Sequence, residues 1–66
     1  MEITLNGASR TIPEQTSASD LIQSLGLADK RLALEINREI VPRSSFGQHI
    51  IRPGDTVEIV HAIGGG

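Results

Sequence analysis

The chain has 66 residues, 38% of them hydrophobic and only one of them aromatic, and carries a formal net charge of −2 at pH 7, so we expect one small domain with an aliphatic core. The absence of cysteine excludes disulfides, thiolate metal sites and a cysteine nucleophile, and the lack of a basic run or of stacking aromatics argues against nucleic-acid binding. No segment approaches the ~20 apolar residues of a membrane span and no signal-peptide pattern is visible, so we expect a cytoplasmic protein without a membrane partner.

The first segment has the pattern of a β-hairpin. Polar and apolar residues alternate over residues 2–5, which predicts a half-buried strand. An Asn-Gly pair at positions 6 and 7 is the strongest short hairpin signal, and a return strand follows over residues 8–12. A strict two-residue loop would place Arg10 opposite Ile3 on the apolar face, so we expect a longer loop or a bulge instead.

A short helix is predicted next. Ser17 and Asp20 have the spacing of a capping box, with Asp in place of the usual Glu, and apolar residues follow at helical spacing. Gly26 suits the left-handed position just past a helix end. A helix of about two and a half turns is unstable alone and must therefore pack on a sheet.

The rest of the chain predicts three more strands. In order, we expect a strand over residues 32–36, a turn over 37–39, a short strand over 40–41, a helical turn around 45–46, a type II turn at 53–54 and a last strand over 56–63. A right-handed crossover through the helix makes the first and last strands natural parallel neighbours. The order predicts an α+β, β-grasp fold with a mixed sheet of four to five strands over one helix; a ferredoxin-like half-fold is the alternative.

The last predicted strand leads directly into Gly64, Gly65 and Gly66. Glycine has no Cβ, so such a segment can enter a channel too narrow for other residues. A frayed terminus is the alternative interpretation. We predict a single domain over residues 1–63 and a flexible glycine tail over 64–66, whose terminal carboxylate is acted on by another protein.

The chain offers few residues for catalysis. His49 and His61 have no acidic or histidine partner at ligand spacing, and there are no paired carboxylates or cofactor motifs, so we predict neither an enzyme nor a metal site. A binding surface is better supported. If the third and last strands are adjacent, an outward-facing apolar patch brings together Ala33, Val60 and Ala62, with Ile63 at its edge. Plain surface is the alternative for these residues.

Several short segments have a familiar set of residues and spacings. They are Leu5-Asn6-Gly7, Asp20-Leu21-Ile22 with Leu25, residues 32–37, Ile40-Val41-Pro42-Arg43, Pro53-Gly54-Asp55, residues 57–60 and the terminal Gly-Gly-Gly. Along its whole length the chain thereby resembles the sulfur carrier proteins of thiazole and thiamin biosynthesis.

This resemblance implies a ubiquitin-like β-grasp fold and a carrier that binds no cofactor. In the family, an adenylating enzyme related to those that activate ubiquitin uses ATP to join AMP to the terminal carboxylate. A cysteine-desulfurase system then supplies sulfur for a thiocarboxylate, and thiazole synthase takes the sulfur into the thiazole ring. Carried over to this chain, Gly66 is the modified residue, Gly65 is its required neighbour and Gly64 is a third glycine of less defined role.

Two other functions stay open for a chain of this kind. The small subunit of molybdopterin synthase is also a carrier with a Gly-Gly end, but aromatic residues and prolines precede its tail, whereas residues 60–63 contain neither. A ubiquitin-like modifier or interaction module is the second alternative. Lys30 is the only lysine, which disfavours a modifier that builds chains.

Overall fold

Five strands and one helix make up the part of the chain that the computed structural model describes, residues 1–61. The elements are β1 (Glu2–Leu5), β2 (Ala8–Thr11), α1 (Ala18–Ser24), β3 (Leu32–Ile36), β4 (Glu39–Val41) and β5 (Thr56–His61), with a 3₁₀ turn at Arg43–Ser45. The sheet order is β2-β1-β5-β3-β4. Because β5 pairs parallel with β1 and antiparallel with β3, the last strand occupies the centre of a mixed sheet. The predicted β-grasp arrangement is confirmed.

The core lies on the helix side of the sheet and is aliphatic, as the composition predicts. Alternate residues of β1, β3 and β5 face it, and Phe46 is its single aromatic side chain. Burial of these side chains is the main source of stability in a domain of this size. The largest side chains that are almost completely buried are Ile3, Leu21, Leu34, Ile51 and Val57.

Local capping determines where α1 begins and ends. The Ser17 hydroxyl accepts a hydrogen bond from the Asp20 amide at 3.0 Å, and the Asp20 carboxylate accepts one from the Ser17 amide at 3.2 Å, so the predicted capping box is confirmed. Gly26 has φ 73° just beyond the C-cap residue Leu25, which is the predicted left-handed position. With seven residues, the helix is about half a turn shorter than predicted.

The first hairpin corrects the expectation of a longer loop or bulge. Ile3 pairs directly with Arg10, so the loop has two residues, and both Asn6 and Gly7 have positive φ, at 49° and 84°, as a type I′ turn requires. Arg10 is tolerated opposite Ile3 because every residue of the edge strand β2 is exposed, although Ile3 is buried. The core therefore covers β1 and leaves β2 uncovered, and β2 ends at Thr11 rather than at residue 12.

The later turns agree with the prediction except at one residue. The second hairpin turn consists of Asn37 and Arg38, with φ of 53° and 69°, while Glu39 already belongs to β4; the predicted turn over 37–39 is one residue too long. The predicted type II turn is confirmed, since Gly54 has φ 83° and the Asp55 amide donates to the Arg52 carbonyl at 3.1 Å.

The end of the predicted last strand, residues 62 and 63, lies outside the described residues, as does the glycine segment 64–66. No helix among residues 1–61 has both the length and the apolar character needed to cross a membrane.

Candidate functional site

The sheet face turned away from α1 contains the predicted apolar patch. Ala33 on β3 lies directly opposite Val60 on β5, so the expected adjacency of these strands is confirmed. Both side chains are exposed, and Val60 keeps 56% of its surface accessible. Ala62 and Ile63, the other predicted members, lie outside the described residues. The binding role of the patch stays a prediction.

Ile40 is a third exposed apolar residue on this face and was not predicted to belong to it. It lies on β4 opposite Glu35 and is 71% exposed, the most of any large hydrophobic side chain described. The two-residue turn fixes this register, because it pairs Ile36 with Glu39 and so turns Ile40 outward and Val41 inward. Because the side chains of a strand alternate between faces, assigning Val41 to the core would have placed its neighbour Ile40 on the outward face.

Two acidic residues separate the apolar positions. Glu35 on β3 lies directly opposite Glu58 on β5. Like charges at directly opposite positions of an antiparallel pair repel each other and destabilise the pair. We define the open face as five of the described outward residues of β3, β4 and β5, which form its centre: Ala33, Glu35, Ile40, Glu58 and Val60. It combines apolar contact area with two negative charges.

The histidines and carboxylates do not form a catalytic or metal-binding arrangement within residues 1–61. His61 is exposed at the end of β5, and His49 is half-buried, with its backbone carbonyl accepting the Ala18 amide at 2.8 Å. In the described residues, no group of three or more His, Cys, Asp or Glu side chains is placed to hold a metal ion.

The central strand β5 is held by the side chains of two asparagines, one from each hairpin turn. Asn37 Oδ1 accepts the Thr56 amide at 3.0 Å, and Asn37 Nδ2 donates to Asp55 Oδ1 at 3.0 Å. Asn6 Oδ1 accepts the Ile59 amide at 2.8 Å. Sequence analysis treated Asn6 only as a turn residue, because nothing in the local pattern indicates a contact 53 residues away.

The predicted reactive residues lie beyond this anchored strand. Gly64, Gly65 and Gly66 are outside the described residues, so their predicted roles rest on the sequence. The described chain ends at His61, the last residue of β5, which is the middle strand of the sheet.

Comparisons with known proteins extend over the whole chain. The model of the ThiS family matches residues 3–66. The sulfur carrier protein ThiS of Escherichia coli is 32% identical over 66 residues, and the alignment covers all of both chains. The crystal structure of a thiamine biosynthesis protein (ThiS) from Geobacter metallireducens has a TM-score of 0.87 and 30% identity, again with full coverage of both chains. That likeness agrees with the β-grasp fold derived above.

A further relative is much longer than this chain. The thiazole synthase of Paramagnetospirillum magneticum is 39% identical over 66 residues, and this chain spans 20% of its length. The family match from residue 3 to residue 66 and the full-length likeness to the Escherichia coli protein decide the assignment. The chain belongs to the ThiS family.

Proposed function

We propose that this chain is a sulfur carrier protein for thiazole formation in thiamin biosynthesis, with the terminal carboxylate of Gly66 as its reactive group. The observation that carries the proposal is the family match, which extends through the three terminal glycines. The whole of the Escherichia coli sulfur carrier protein aligns with this chain. The chain itself acts as a co-substrate of other enzymes and not as a catalyst.

The chemistry follows from the properties of a carboxylate. A terminal carboxyl group has a pKa of about 3.5 and is ionised at neutral pH, so it resists nucleophilic attack. In the proposed first step, a Gly66 oxygen attacks the α-phosphorus of ATP on an adenylating enzyme, and pyrophosphate leaves. A persulfide from a cysteine-desulfurase system then attacks the carbonyl carbon and displaces AMP, which gives an acyl disulfide. A second thiol of the sulfur-transfer system cleaves the S–S bond of this acyl disulfide, which releases the thiocarboxylate and leaves a disulfide between the two thiols. ATP belongs to the partner, and the carrier binds no cofactor of its own.

Sulfur has one place to reside on this chain under the proposal. The sequence contains no cysteine, so no side-chain thiol can hold a persulfide or a thioester. The terminal carbonyl carbon of Gly66 remains. Glycine at positions 64 and 65 keeps the approach to that carbon free of side chains, so the same segment can enter the sites of two different enzymes.

Thiazole synthase is the proposed acceptor of the sulfur. A segment of the Paramagnetospirillum magneticum thiazole synthase resembles this entire chain. Joining a carrier-like segment to that enzyme in one polypeptide would raise their effective concentration, which supports a functional association between the two. Because thiamin synthesis and its ATP-dependent activation step are metabolic, we place the carrier in the cytoplasm.

The open face is the proposed docking surface for the adenylating enzyme. Val60 and Ala33 supply the centre of an apolar contact, and Ile40 adds a second apolar point across the sheet. The predicted members Ala62 and, at the edge of the patch, Ile63 would extend it. A basic side chain of the partner that lies between Glu35 and Glu58 would relieve their mutual repulsion. We therefore expect the partner surface to be apolar with at least one arginine or lysine.

Genetic complementation tests the proposal. In a host that lacks its own thiazole sulfur carrier, expression of this chain should restore growth without added thiazole, and a variant without Gly66 should not. Restoration of molybdenum-enzyme activity without thiazole-independent growth would favour the molybdopterin alternative and contradict the proposal. A Ser44→Ala variant, altered at an exposed site in the 3₁₀ turn, is the control for expression.

A further inference from the structure

Asn6 satisfies two requirements at once, and the turn accounts for only one of them. With φ 49° at Asn6 and 84° at Gly7, the loop needs residues that tolerate the left-handed region. Asp-Gly or Gly-Gly would meet that need as well as Asn-Gly. Because Gly-Gly suffices, the turn alone does not require a side-chain oxygen at this position.

The second requirement is a long-range hydrogen bond. β1 pairs with β5 at Thr4 and Leu5, and the Asn6 amide donates to the Val57 carbonyl at 2.9 Å. The chain then turns away at Gly7. The Ile59 amide, which points toward the same side of β5, is accepted by Asn6 Oδ1 at 2.8 Å. The side-chain oxygen thus occupies the place that a backbone carbonyl would take if β1 continued.

The hydrogen bond between the Ile59 amide and Asn6 Oδ1 lies near the end of β5. It is the final described hydrogen bond from the β1 side before the chain passes through Val60 and His61 toward the glycines. From Val60 on the open face to Gly66 there are six residues, which span at most about 20 Å when extended. The direction of β5 at Ile59 therefore determines the point from which this short segment must reach the reacting centre of a partner docked on the open face.

We propose that Asn6 is a positioning residue for the reaction at the carboxyl terminus. By accepting the Ile59 amide, its side chain fixes the direction in which β5 leaves the sheet and so delivers Gly66 to the active site of the adenylating enzyme. The inference rests on the proposed function, because it assumes that Gly66 is the reacting residue. It assigns a role in that reaction to a turn residue that lies 60 positions before Gly66 in the sequence.

Asn37 provides a matched control within the same fold. It occupies the same position of the other two-residue turn, with φ 53°. Its backbone amide donates to the Thr56 carbonyl at 2.8 Å, and its side chain accepts the Thr56 amide. The two asparagines differ in where they hold β5: Asn37 at its first residue and Asn6 three residues later.

The test compares Asn6→Gly with Asn37→Gly, since glycine keeps each turn conformation and removes only the side-chain contacts. The rate of adenylation is measured by ATP–pyrophosphate exchange with the adenylating enzyme of the same host, at varied carrier concentration. Asn6→Gly should lower kcat by about tenfold or more while KM stays within about twofold, because docking is intact and the reacting group is misplaced. Asn37→Gly should change both constants by less than about twofold.

A third variant and a structural readout complete the experiment. Asn6→Asp retains an oxygen acceptor and tolerates positive φ, so it should restore kcat to within about threefold of the parent chain. Amide hydrogen exchange should be faster at Ile59 in Asn6→Gly, and slow again in Asn6→Asp. Thermal unfolding of all variants is measured in parallel, so that a loss of kcat is separated from a loss of folded chain; Asn37→Gly removes two side-chain hydrogen bonds and Asn6→Gly removes one.

The outcomes separate the two claims. If the parent chain supports no exchange, or supports it equally without Gly66, the proposed function fails. If the parent chain is active and the two glycine variants have the same kcat, Asn6 is a structural residue only and the inference is wrong. A rise in KM with unchanged kcat for Asn6→Gly would equally overturn it, because that result places Asn6 in docking rather than in positioning.

Discussion

Two valines on β5 show how differently the two faces of this sheet are used. Val57 is completely buried, whereas Val60, three residues later, keeps 56% of its surface exposed. Both are valines on the same strand. Because side chains alternate between the two faces of a sheet and three positions separate these residues, they point to opposite faces. The helix-side face thus stabilises the fold, and the open face is available for a partner. Substitutions on the two faces, and in the segment beyond them, should therefore have separable effects.

The largest effect is expected at Gly65, beyond both faces. Gly65→Val leaves the terminal carboxylate and the open face in place but adds a branched side chain next to the reacting residue. If the segment enters a narrow channel, adenylation should fall by roughly 100-fold, because the carboxylate can no longer reach its attack position. ATP–pyrophosphate exchange measures the loss. Gly65→Ala is the graded control and should lie between the parent chain and the valine variant; equal activity of all three would remove the narrow-channel argument.

Next in size is a loss of stability on the helix-side face. Leu34 is completely buried on β3, so Leu34→Ala should lower the free energy of unfolding by about 2–5 kcal/mol, a large share of the stability of a domain this small. Urea denaturation gives the value. The matched variant is Ile40→Ala, which truncates an aliphatic side chain on the open face of the neighbouring strand β4. It should change the free energy of unfolding by no more than about 0.5 kcal/mol. Similar losses from both substitutions would contradict the division into two faces.

A binding defect without a folding defect is expected on the open face. Val60→Asp should weaken binding to the adenylating enzyme by about tenfold, because it places a charge at the centre of the proposed apolar contact beside Glu58. Titration calorimetry gives the dissociation constant. Thr11→Asp adds the same charge at an exposed position of the edge strand β2 and should leave the affinity unchanged. If Val60→Asp binds as tightly as the parent chain, the open face is not the docking surface.

The smallest effect is expected at the helix cap. Ser17→Ala removes the hydroxyl that accepts the Asp20 amide and should lower the free energy of unfolding by about 1 kcal/mol. Since α1 lies on the helix side of the sheet, sulfur-carrier activity should be unchanged at temperatures well below the unfolding midpoint. Thermal unfolding and the exchange assay are compared on the same sample, and a marked loss of activity would mean that α1 also takes part in binding.

The features that sequence analysis predicted well are those with local causes. The capping box at Ser17 and Asp20 and the type II turn with Gly54 depend on neighbouring residues alone. The parallel pairing of the first and last strands followed from the handedness of crossover connections. The adjacency of Ala33 and Val60 then followed from alternation along two strands.

The features that it missed depend on contacts across the sheet. A bulge was expected near Arg10 on the assumption that the core buries one face of β2. All residues of β2 are exposed, and no local sequence pattern shows which strands the core buries. Ile40 was not assigned to a face because Arg38, at φ 69°, occupies a turn position at which glycine is the usual signal. The hydrogen bond from the Ile59 amide to Asn6 spans 53 residues and became visible only in the folded chain.

The central claim is that Gly66 itself carries the sulfur, and the intact mass of the chain tests it most directly. The chain is expressed in a host with an active thiazole pathway, purified under conditions that preserve thiocarboxylates and measured by mass spectrometry. We expect a species heavier than the unmodified chain by the exchange of one oxygen for sulfur, located by fragmentation at Gly66 and lost on treatment with hydroxylamine. If the chain is recovered only with an unmodified carboxylate while the host makes thiazole through it, the account is contradicted.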